Sequence, residues 1–92
     1  MPHRMVLALA LIAAATTPVP ALADKAAAGA CANGLSPDAR LIYEEAYPGV
    51  AAGGDLVGTI RQAATGLVKG GRIPRNSARS AAQEAGACLK RL

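Results

Sequence analysis

Aromatic side chains and histidine are the first things missing from this chain. It has no tryptophan, no phenylalanine, two tyrosines (Tyr43 and Tyr47) and one histidine, His3, in 92 residues. His3 lies in an N-terminal segment that reads as a removable leader. Its removal excludes His-based acid–base catalysis, Cys–His and Ser–His nucleophiles, haem attachment and most zinc sites. The two cysteines, Cys31 and Cys88, form no C-x-x-C pair, so a thioredoxin-like redox role has no motif. Two tyrosines four residues apart are too few for a stacking platform on single-stranded nucleic acid, and they read as core and core edge. Glu44 and Glu45 are adjacent, diverge by about 100° on a helix and do not converge on one substrate. No enzymatic activity, cofactor or metal is expected.

Long apolar runs are also scarce. The one that stands out is Val6–Ala15, behind Arg4 and ahead of Pro18, Pro20 and the small-x-small site Ala21-Leu22-Ala23. That run is far shorter than the ~20 residues a membrane-spanning helix needs. With its charged start and cleavage site it reads as a secretory signal peptide over residues 1–23. Residues 24–92 are then one small exported domain, periplasmic or secreted, with no transmembrane segment. Ala28-Gly29-Ala30-Cys31 imitates a lipid-attachment box, but Asp24 and Lys25 separate it from the apolar run. Lipidation would also leave Cys88 without a partner.

A domain this small, rich in alanine and poor in aromatics, has a thin core. Domains below about 70–80 residues usually need a staple. Two cysteines in an exported chain supply it as a Cys31–Cys88 disulfide, contributing on the order of 4 kcal/mol in the chain-entropy model.

Helical patterning is clearest from Asp55 onward. Leu56, Val57, Ile60, Ala63, Ala64, Leu67 and Val68 fill an arc of roughly 140°, with Asp55 as N-cap and Gly70 as the left-handed stop. A further helix begins between Pro74 and Asn76. It presents Ala78, Ala81, Ala82, Ala85, Cys88, Leu89 and Leu92 on one narrow face. Ala78, Ala82 and Gly86 form a small-residue series that reads as close packing in a soluble domain, because Arg79, Gln83 and Glu84 interrupt any span. Earlier in the chain, Ser36-Pro37-Asp38 starts a helix with Ala39, Ile42, Tyr43 and Ala46 on one face and Arg40 paired to Glu44 outside. Leu41 points away from that face. The expectation is that Tyr47-Pro48-Gly49 ends this helix and that Pro48 to Gly54 is a glycine-rich linker. The fold class is all-α: three helices stapled by one disulfide, to which residues 24–32 can add a short fourth.

Charge is unevenly spread. Residues 24–55 hold five acids against Lys25 and Arg40, whereas residues 56–92 hold seven bases against Glu84 alone. Arg75, Arg79 and Lys90 fall within about 60° on the last helix, with Arg72 just before it. This stripe is the candidate surface for a partner or an anion. It serves either an external anion or the chain's own Glu44 and Glu45. Gly53-Gly54-Asp55 precedes a helix, but Asp55 at the cap repels an anion, and Gly70-Gly71 lacks P-loop spacing. The function expected is a non-enzymatic binding or accessory module with a protein partner. The alternative is direct binding of anionic lipid head groups or nucleic acid through the stripe.

Gly71-Arg72-Ile73-Pro74-Arg75, Ser77-Ala78-Arg79 and Gly86-Ala87-Cys88-Leu89, with Cys31 and Ser36-Pro37-Asp38-Ala39-Arg40, resemble small uncharacterised exported two-cysteine helical proteins of Gram-negative bacteria. The resemblance implies a periplasmic address and carries no activity and no functional residue.

Overall fold

The computed structural model describes residues 20–92 of the chain, with side chains from Ala23 onward; His3, Arg4, the Val6–Ala15 run and Pro18 lie outside them. Among the described residues four helices follow in order: α1 (Pro20–Ala32), α2 (Pro37–Ala51), α3 (Leu56–Lys69) and α4 (Arg75–Leu89). α4 is the hub, and the other three all pack against it, α2 most extensively. None of the described helices is long and apolar enough to cross a membrane.

The core is small and built largely of alanine. Ile42, Leu89 and Cys88 are its largest fully buried side chains, joined by Tyr43, Ile60, Leu67, Ile73 and seven alanines. The α2 face expected from sequence, Ala39, Ile42, Tyr43 and Ala46, is the buried face. On α4 the buried residues are Ala81, Ala85, Cys88 and Leu89, again from the expected stripe.

Cys31 and Cys88 form the disulfide, with Cα atoms 5.4 Å apart across a separation of 57 residues. Cys31 sits in the last turn of α1, and α1 itself lies on α4 with Ala28 and Ala32 buried. The cystine is therefore reached through a packed helix. Alone, α1 would be marginal in water, because a short helix regains too few hydrogen bonds after nucleation. Burial of one alanine edge and the covalent tie hold it. Ala23 to Ala27 are exposed.

Several expectations need correction. α2 does not end at Tyr47-Pro48-Gly49; it runs to Ala51 with Pro48 inside it. The ring removes one amide, yet Val50 packs against the core and the helix closes at Gly53-Gly54. Gly53 has φ +95°, its amide bonds the Val50 carbonyl, and the Gly54 amide bonds Gly49. That is a Schellman closure, so the true connection is only Ala52 to Asp55.

α3 closes the same way, one residue later than expected. Gly70 has φ −79°, and Gly71, at φ +71°, is the left-handed residue. The Arg72 amide then reaches the Leu67 carbonyl at 2.9 Å. Arg40 does not turn to Glu44. Its guanidinium donates to Asn33 Oδ1 at 2.9 Å and to the Ala32 carbonyl at 3.4 Å, placing a cation at the C-terminus of α1. Leu41 is half-buried against the core. α4 begins at Arg75, between Pro74 and Asn76 as expected, with Pro74 as its N-cap and no side-chain cap.

The caps read from sequence on α2 and α3 are formed. Ser36 Oγ accepts from the Ala39 amide at 3.4 Å, and Asp55 Oδ2 accepts from the Gly58 amide at 2.6 Å.

Candidate functional site

The apolar arc of α3 is wider than its neighbours can cover. Ile60, Ala63 and Leu67 are buried, but Leu56, Ala64 and Val68 are half-buried. Val57 is 61 % exposed, an unusual place for a large apolar side chain in a core this thin. The uncovered part of the arc faces the uncovered part of α4, and between them runs an open groove of about 750 Å³.

Helical periodicity explains its lining. On α3, Leu56, Ile60 and Ala64 recur every four residues along the floor, and Val57, Arg61 and Thr65 form the rim one position further round. On α4, Ala78, Ala82 and Gly86 make the floor, Arg79 and Gln83 the rim, and Lys90 closes one end. α3 and α4 touch directly beneath: a Cβ built on Gly86 would stand 3.3 Å from Ile60 Cδ1. The groove is thus the seam between two antiparallel helices in close contact.

Among the described residues, every ionisable side chain lining the groove is cationic: Arg61, Arg79 and Lys90. The structure also shows which way α4's cations face. Ser77 Oγ donates to Asp38 Oδ2 at 3.1 Å, so Ser77 marks the side of α4 that meets α2. Arg75 and Arg79, two residues either side, stand about 200° round the helix from it, and Lys90 about 220°. The stripe therefore points away from the helix that carries Glu44 and Glu45.

The candidate residues read from sequence are all exposed but do not form a single site. Arg79 and Lys90 line the groove, Arg75 lies beside it on α4, and Arg72 stands in the α3–α4 turn. Arg61 is the addition. It lies outside the apolar arc of α3, and only the position of α4 across from it reveals a rim residue.

Other acids are engaged elsewhere. Asp55 caps α3, Asp38 accepts from Ser77, and Glu84 Oε2 accepts from Ser36 at 3.4 Å. Tyr43 and Tyr47 lie with ring centroids 5.7 Å apart at 50°. Burial, with a smaller contribution from Tyr47, raises the Tyr43 hydroxyl above its ordinary pKa of 10.0. It is a neutral core group at physiological pH.

No family model, curated protein or solved structure matches the chain.

Proposed function

We propose that the protein is a small exported binding module, non-enzymatic, acting in the periplasm or outside the cell through the groove between α3 and α4. The observation that carries this reading is the uncovered apolar seam whose charged rim residues are cationic among the described residues, in a chain with little apolar surface to spare. A thin core gains from covering Val57, Leu56 and Ala64, and leaving them open favours a partner that covers them. The signal-peptide pattern of residues 1–23 and the Cys31–Cys88 bond support the exported address.

The test is site-specific photocrosslinking in the cells that make the protein. A photoreactive residue at Val57 or Gln83 faces the groove; one at Glu45 or Gln62 does not. Adducts from the first pair and none from the second are expected. Equal labelling from all four positions, or none at all, overturns the reading.

A second reading has one specific observation in its favour. Arg72 and Arg75 are exposed and lie outside the groove lining, free to join Arg79 and Lys90 in contacting an anionic lipid head group or nucleic acid.

A further inference from the structure

We infer that the α3–α4 groove docks an acidic amphipathic helix of a partner protein. The helix would lay its apolar stripe on the floor and its carboxylates beside Arg61, Arg79 and Lys90. This deepens the reading above and rests on it.

Shape is the first argument. The floor rows Leu56-Ile60-Ala64 and Ala78-Ala82-Gly86 each follow a helix axis. The stretch from Ala78 to Lys90 rises about 18 Å, more than three helical turns. A third helix laid on the seam of two touching helices meets both, as in the packing of a bundle. Alanine and glycine on the α4 side let it come close, and Val57 walls the other side. α2 and α1 already hold other parts of α4, and among the described residues none of either lines the groove.

The distribution of charge selects among occupants. Arg79 on α4 and Lys90 at its C-cap are eleven residues apart, about 16 Å along the helix axis, and Arg61 stands on the opposite rim. A fatty acid brings one anionic head to one end and leaves the far cation unanswered. A second copy of this chain, docked groove to groove, sets cation against cation. A flat membrane surface meets Arg72 and Arg75 but does not enter a seam. Acids recurring along both flanks of an apolar stripe answer all three cations at once, and recognition of such a helix is read as anchors at i, i+3, i+4 and i+7.

The experiment is a selection on the purified, disulfide-bonded protein from a displayed library of helices about 14–18 residues long, with a fixed apolar stripe and randomised flanks. Enriched sequences should carry Asp or Glu on both flanks. Their binding should weaken at least about tenfold when Arg61→Glu, Arg79→Glu and Lys90→Glu are combined, and a peptide with lysine flanks should bind that variant instead. All three side chains are exposed, and the neutral set Arg61→Gln, Arg79→Gln and Lys90→Gln keeps the test sound should charge reversal impair folding. No enrichment, enrichment without acids, or binding indifferent to the substitutions overturns the inference. So does a photocrosslink from Val57 that captures only lipid or a second copy of the chain. Groove adducts in cells with no acidic helix selected would sink this inference and leave the binding-module reading standing. Absence of groove adducts sinks that reading itself.

Discussion

Asp38 Oδ2 lies 3.1 Å from the Ser77 hydroxyl, so one carboxylate serves the first turns of two helices. Asp38 is in the first turn of α2, and Ser77 is the third residue of α4. α4 has no side-chain cap and no acid of its own in its first turn, where it carries Arg75 instead. Asp38 supplies the negative charge that the positive end of that helix lacks. Asp38→Ala should therefore lower stability by about 1–2 kcal/mol, more than a single first-turn acid on an exposed helix. A double-mutant cycle with Ser77→Ala in urea denaturation should show coupling of about 0.5 kcal/mol or more. Additive losses would mean that Asp38 acts on α2 alone.

The cystine is expected to dominate stability. Its loop of 57 residues corresponds to about 4 kcal/mol of denatured-state entropy, as large as the stability a core of this size supplies. Protein exported natively should show no alkylatable thiol and a monomeric intact mass that gains two hydrogens on reduction. Cys31→Ser with Cys88→Ser should melt far lower or fail to fold. Free thiols, or a disulfide-linked dimer as the main species, would contradict this.

Pro48 occupies a helical position at an energetic disadvantage. It removes the amide that would bond the Glu44 carbonyl, and its ring crowds that turn. Proline also restricts the unfolded chain, which offsets part of the cost. Because the residue is exposed, Pro48→Ala should raise stability by about 1–2 kcal/mol without disturbing the core. A loss of stability would show that the ring itself packs usefully at the end of α2.

What the sequence made legible was local. Ser36-Pro37-Asp38, Asp55 and the buried faces of α2 and α4 follow from caps and a period of 3.6, and two cysteines in a thin-cored chain leave one pairing. Pro48 misled because the local rule against helical proline takes no account of Val50 packing beyond it or of Gly53-Gly54 closing the helix later. Gly70 and Gly71 are equivalent as sequence signals, and only the bond from the Arg72 amide to the Leu67 carbonyl makes Gly71 the left-handed one. Arg40 to Asn33, Asp38 to Ser77 and Arg61 opposite Arg79 depend on how helices cross, which no periodicity contains. Val57 carries the most instructive difference. An apolar arc shows which residues seek cover, not how much cover the rest of the chain provides.

The basic stripe can be divided by experiment, because the structure places its members differently. Arg61→Gln with Arg79→Gln removes cations from the groove rim, and Arg72→Gln with Arg75→Gln removes cations outside it. All four are exposed, so neither pair should change the melting temperature appreciably. Binding to a diffuse anion, whether acidic vesicles or duplex DNA, comes from summed charge and released counterions. It would fall by similar factors in both pairs and decline steeply with salt. Groove recognition would respond to the first pair only. The decisive measurement uses the unsubstituted protein with phosphatidylglycerol vesicles and duplex DNA at about 10 mM salt, where the Debye length is about 30 Å and any diffuse attraction is at its strongest. The expected outcome is no binding to either. The cationic rim would then act as a selector of partners that also fill the apolar floor, because three cations spread along a seam give too weak a field to hold an anion that leaves Val57 and Leu56 in water.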